Sequence, residues 1–155
     1  DGYAYSKENY KQLIMGMNPQ EDVFRIISHS MGGAFSEGII RYLKEQGWNV
    51  DFSIHLNTWL PSELMGSVGT FLIDATITND WVQGLSLPID GSRDIPNANY
   101  KIRKKSNEGY QYRHRDWIHS GSFWNANNGI TWNQLMPILD SWLIQNPNIQ
   151  INYGQ

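Results

Sequence analysis

Cysteine is missing from the 155-residue chain, which excludes disulfides, thiolate zinc sites and thiol nucleophiles together and leaves the redox compartment open. Positive charge is not in excess: the net charge is -3, and a dedicated nucleic-acid binder needs surplus Lys and Arg to neutralise phosphates. No apolar run reaches the roughly 18 residues of a membrane span, and the N-terminus lacks the pattern of a signal peptide. Charged residues are only 17% of the chain while 13% is aromatic, a balance that excludes a disordered polyelectrolyte and predicts a folded core. The length fits one domain over residues 1–155, with neither an internal repeat nor an interdomain linker.

What is there reads as alternating helices and strands. Ser6 is a candidate cap for a helix over 6–17, whose apolar residues Tyr10, Leu13, Ile14 and Met17 keep helical spacing up to Pro19. Val23 to Ser28 is short, β-branched and bounded by turn residues, as in a strand buried on both faces of a parallel sheet. A helix over about 31–46 follows, with Gly47 placed for a left-handed cap. Val50, Phe52, Ile54 and Leu56 alternate with Asp51, Ser53 and His55, which predicts a strand with unequal faces. Thr70 to Ile77 is a third strand, and 81–130 is loop-rich with one short strand at Asn99 to Arg103. The stripe Leu135, Ile138, Leu139, Trp142 and Leu143 predicts a last helix that Pro137 forces to begin close by or to kink. The order predicts an α/β fold with a mainly parallel sheet flanked by helices.

The most informative segment is Ile27-Ser28-His29-Ser30-Met31-Gly32-Gly33, where a strand meets a helix. A sharp reversal there holds Ser30 in a strained conformation, demands small residues such as Ser28 and Gly32 two places either side, and leaves the Met31 N–H free for a developing oxyanion. A Ser-rich turn that only caps the helix would look much the same.

Ser28 to Gly33 resembles the nucleophile elbow of the α/β-hydrolase family, whose lipases and esterases often read Gly-His-Ser-Met-Gly-Gly; Ser28 replaces the first glycine. The resemblance implies a Ser, acid, His chain order, with the acid after a later strand. Asp80, in Thr78-Asn79-Asp80-Trp81-Val82, stands just past the third strand and is similar to the family's acid loop, whereas Asp74 lies mid-strand and Asp90 and Asp94 suit turns. The order excludes His29 and His55 as the base and leaves two imidazoles. His119, in Trp117-Ile118-His119-Ser120-Gly121, matches the family position, while Arg113 and Arg115 beside His114 predict a solvated surface role for that residue. The expected site is therefore Ser30, Asp80 and His119 with Met31 in the oxyanion hole, acting on carboxylic esters without metal or cofactor.

Only 22 residues precede the first strand, whereas a complete α/β-hydrolase has several strands there and draws its second oxyanion donor from them. This implies either the carboxyl-terminal portion of a longer protein or a reduced fold, completed by upstream sequence or by self-association. The stretch Ser28 to Trp124 also resembles, more weakly, hydrolase-like domains at the carboxyl ends of large bacterial surface and toxin proteins, which implies a bacterial, secreted or cell-surface setting. Lys101, Arg103, Lys104, Lys105, Arg113 and Arg115, interleaved with tyrosines, form either a patch for an anionic lipid surface or a solvated loop. Residues 57–69 are either a mobile apolar cover or ordinary packing. Two further readings stay open: a non-catalytic binding module, and an enzyme active only when assembled.

Overall fold

A computed structural model of the chain describes residues 1–64, 66, 70–82, 94–119 and 121–148, the side chains of His119 and Ser122 excepted. Asp90 and Met65 lie outside the described residues. Four strands form one sheet in the order β1 (Phe24–His29), β2 (Val50–Leu56), β3 (Phe71–Ile77) and β4 (Tyr100–Lys104), every neighbouring pair parallel. Helices α1 (Gly2–Leu13) and α2 (Gly32–Glu45) pack together beside β1 and β2. A 3₁₀ turn at Tyr110–Arg115 runs into the short helix α3 (Asp116–His119), and α4 (Trp132–Gln145) closes the described fold. The expected parallel α/β class is thus what the chain adopts.

Alternation along the strands, with a register shift where Phe24 pairs with Val50 and Arg25 with Phe52, divides the apolar side chains between two layers. Phe52, Ile54 and Leu56 of β2 join Phe71, Ile73, Ala75 and Ile77 of β3 and Leu135 and Leu139 of α4 in the larger core. A second cluster gathers Ile40, Leu43, Trp48 and Val50, with Phe24 and Ile26 of β1 against it. Each fully buried Ile or Leu contributes roughly 1.5–3 kcal/mol relative to exposure, so the sheet is held mainly by these two layers.

Several expectations need correction. The first helix begins at Gly2, with Asp1 as its cap through a 2.9 Å bond to Tyr3 N–H; Ser6 lies buried inside it and donates to Gly2 O at 2.8 Å. Strand β1 is not buried on both faces: among the described residues it is a sheet edge, and Ile27 is 53% exposed. Strand β2 has the expected unequal faces, one apolar and one polar, and both are buried. Its polar residues Asp51, Ser53 and His55 are fully buried: β1 and β3 cover both edges, α2 packs on the strand, and Asp51 pairs with Arg25 at 2.8 Å. The loop-rich interval contains the 3₁₀ turn and α3, and Gly47 adopts the expected left-handed conformation at φ 84°.

The approach of α1 to α2 is set by glycines. A Cβ on Gly38 would stand 2.5 Å from Tyr3 N, and one on Gly2 would stand 1.7 Å from Phe35 O. Side chains there would push the helices apart.

Candidate active site at the carboxyl edge of the sheet

Parallel strands bring their carboxyl ends to one edge, and the loops that leave β1, β2 and β3 carry Ser30, Asn57 and Asp80 there. Ser30 adopts φ +57° between β1 and α2, a left-handed conformation that is uncommon for a residue with a Cβ. The backbone of β2 and its following loop holds this turn: Ser30 N–H donates to Leu56 O at 3.0 Å, and Trp59 N–H donates to Ser30 O at 3.2 Å. Gly33 N–H also reaches Ser30 O, at 3.1 Å. The closest steric demand falls on Gly33, where a Cβ would meet Thr58 Cγ2 at 2.7 Å; one on Gly32 would make only ordinary contact with Ser28 Cβ at 3.8 Å.

Met31 occupies the cap position of α2 in α conformation, with its side chain 71% exposed. Among the described residues its N–H has no acceptor, as expected for the first donors of a helix. An anionic oxygen above this end would meet that donor and the helix dipole.

Asp80 follows β3 as expected, with a fully buried carboxylate. One oxygen accepts the N–H of Val82 at 3.0 Å, and the other receives Nδ1 of His114 at 2.6 Å. The imidazole beside Asp80 is therefore that of the residue which the flanking arginines assigned to the surface. His114 is mostly buried, with only 14% of its side chain exposed, while Arg115 points outward. In a 3₁₀ turn successive side chains diverge, so charged neighbours in sequence do not share the environment of the imidazole. His119 contributes backbone to α3, and its side chain lies outside what the structure describes.

Two side chains hold His114 by its backbone. Its carbonyl accepts Nε2–H of His29 at 2.7 Å and Nδ2–H of Asn57 at 2.8 Å. Asn57, fully buried at φ +46°, also accepts Ile77 N–H through Oδ1 at 2.7 Å, so one amide ties the end of β3 to the 3₁₀ turn. The rings of His29 and His114 lie 4.7 Å apart at 51°. Burial, above all, lowers the pKa of His29; the neighbouring His114 charge acts the same way, against the opposing pull of the bond to the His114 carbonyl. His29 thus belongs to the site wall, as the residue joining Ser30 to the Asp80–His114 pair. The sequence carried one signal for Asn57, an Asn directly after a strand, where the left-handed region is best tolerated. For His114 the required chain order was satisfied, but nothing ranked it above His119.

The other acidic candidates are occupied structurally. Asp74 is fully buried and receives Arg103 Nη2 at 2.8 Å and Ile95 N–H at 3.0 Å, and Asp94 pairs with Lys101 and Arg103. Trp81 stacks on Tyr110 at 5.5 Å, so an aromatic pair stands beside Asp80 and His114. Among the described residues no group of three or more His, Cys, Asp or Glu side chains is arranged to hold a metal ion.

Comparison with known proteins adds no relative: no family model, no curated protein and no solved structure matches the chain.

Proposed function

We propose that the chain is a serine hydrolase of the α/β-hydrolase type that cleaves carboxylic esters, with Ser30 as nucleophile, His114 as base and Asp80 as the carboxylate that orients it. One observation carries this reading: Asp80 engages Nδ1 of His114 at 2.6 Å, which fixes the proton on Nδ1 and directs Nε2, the basic nitrogen, away from the carboxylate. Ser30, in its positive-φ turn, is one residue from the imidazole that packs on His114. The base differs from His119, the family-position expectation, because the carboxylate's partner is His114.

In this mechanism Nε2 of His114 takes the Ser30 proton as Oγ attacks the ester carbonyl carbon. The carbonyl oxygen becomes an anion next to Met31 N–H. Collapse breaks the carbon–oxygen bond to the alcohol, which leaves with the proton held by His114. Water then gives its proton to His114, attacks the acyl-Ser30 ester, and releases the acid and the free hydroxyl. Exposed Met31, Tyr110, Tyr112 and Ile118 near these residues favour an apolar acyl group, including that of a lipid.

The test is hydrolysis of short and long p-nitrophenyl esters by the chain and by Ser30→Ala, His114→Ala and His119→Ala. Turnover that Ser30→Ala and His114→Ala abolish and His119→Ala spares supports the assignment; equal turnover in all four refutes it. Among the described residues no strand pairs with the outer edge of β1, and this edge, with exposed Ile27 next to the nucleophile turn, favours one second reading, in which a further strand or copy completes the enzyme. That reading expects specific activity to rise with protein concentration.

A further inference from the structure

A second hydroxyl–imidazole–carboxylate line lies beneath the turn. Ser28 Oγ is hydrogen-bonded to Nδ1 of His55 at 2.6 Å, and Glu37 Oε1 stands 3.4 Å from the buried His55 Nε2, at ion-pair distance but outside hydrogen-bond geometry. The register pairs Ser28 with His55 across β1 and β2, and His29 with Leu56, whose carbonyl holds Ser30 N–H. Glu37 lies one turn beyond Gly33 and one turn before Ile40 on the sheet-facing side of α2, so the line spans strand, strand and helix. His55 is fully buried, which removes it from any contact with substrate.

We propose that His55, with Glu37 beside it, is a positioning residue for the nucleophile: it fixes the Ser28 hydroxyl and thereby the turn that presents Ser30. The inference rests on the proposed hydrolase function and extends it to residues that touch neither substrate nor the reacting hydroxyl.

The argument is one of hydrogen-bond direction. A carboxylate is acceptor-only, so its place beside Nε2 favours the tautomer with the proton on Nε2. Nδ1 is then an acceptor, and the Ser28 hydroxyl must donate to it. A hydroxyl committed this way stays away from Ser30, and its donor is anchored two residues before the strained φ. A non-glycine residue at positive φ is strained and persists there only where surrounding contacts over-determine it. The Ser28–His55 bond is such a contact from the side-chain layer, next to the Leu56 and Trp59 contacts from the backbone. It also gives Ser28 a task that glycine at this position would not perform.

The experiment measures the second-order rate of fluorophosphonate labelling at Ser30, with kcat and KM for p-nitrophenyl butyrate, in the full chain and in Ser28→Ala, His55→Asn, His55→Leu and Glu37→Gln. Thermal unfolding accompanies each. Ser28→Ala and His55→Leu are expected to slow labelling and lower kcat about tenfold with KM unchanged, in line with the cost of a slightly misplaced reacting group. His55→Asn, whose amide reaches the place of Nδ1, is expected to restore most of the rate. Nitrogen-15 spectra of His55 supply an activity-independent readout: the proton sits on Nε2 in the wild type and redistributes toward Nδ1 in Glu37→Gln. Wild-type labelling rates in folded Ser28→Ala and His55→Leu would overturn the positioning role and leave the hydrolase reading intact. An unreactive wild type would overturn both.

Discussion

Asp80 and His114, 34 residues apart in sequence, meet at 2.6 Å on the carboxyl edge of the sheet, and the carboxylate is fully buried. In that geometry the carboxylate selects the tautomer, and in the proposed mechanism it steadies the imidazolium formed when the Ser30 hydroxyl is deprotonated. Asp80→Asn keeps the shape but lets the ring adopt the other tautomer. Ester turnover is expected to fall on the order of 10⁴-fold in kcat with little change in KM. Steady-state kinetics on one p-nitrophenyl ester checks this, and a loss below about tenfold would remove Asp80 from the mechanism.

Asn57 gives a stability prediction. Its amide satisfies Ile77 N–H and the His114 carbonyl at once, in a left-handed conformation that Asn tolerates better than Ala. Asn57→Ala orphans a buried donor, at about 1–3 kcal/mol, and adds backbone strain. Asn57→Gly removes the side chain without the strain and is expected to be the milder of the two by urea unfolding.

Between α1 and α2, the Gly38 Cα approaches the backbone of Gly2 and Tyr3 too closely for a methyl group. Gly38→Ala is expected to lower stability by on the order of 1–3 kcal/mol, although alanine is the better helix former. The unfolding midpoint decides which effect dominates.

The lowered pKa of His29 fixes the sign of a pH effect. Below the ordinary value of 6.5 the unfolded chain binds a proton that the folded chain resists, so stability falls as pH drops from 6.5 toward the folded-state value. His114, Asp80 and Arg115 are the charges that act on this ring. His29→Gln retains an amide donor for the His114 carbonyl and removes the titration. Unfolding free energies between about pH 7 and pH 5 are expected to fall more steeply in the wild type than in this variant.

The parallel sheet was legible because Phe52, Ile54 and Leu56 of β2 and the β-branched run of β1 carry local patterns, and local pattern governs strands. Their burial was not, since it depends on neighbours: alternation gives β2 unequal faces, and only the tertiary fold buries Asp51, Ser53 and His55 along with the apolar residues. The turn at Ser30 was legible for the same local reason, as small residues crowd a strand-to-helix junction; its φ of +57° fits that expectation. The partner of Asp80 was not. Arg113 and Arg115 are adjacent to His114 in sequence but diverge from it in the 3₁₀ turn, and His29 and Asn57, which dock its carbonyl, come from the end of β1 and the loop after β2, far upstream.

The most direct test of the account is mass spectrometric mapping of a fluorophosphonate adduct on the intact chain. A single adduct on Ser30, absent from Ser30→Ala and strongly reduced in His114→Ala, is the result this account predicts. No adduct at any concentration, or one that persists in Ser30→Ala, would contradict it.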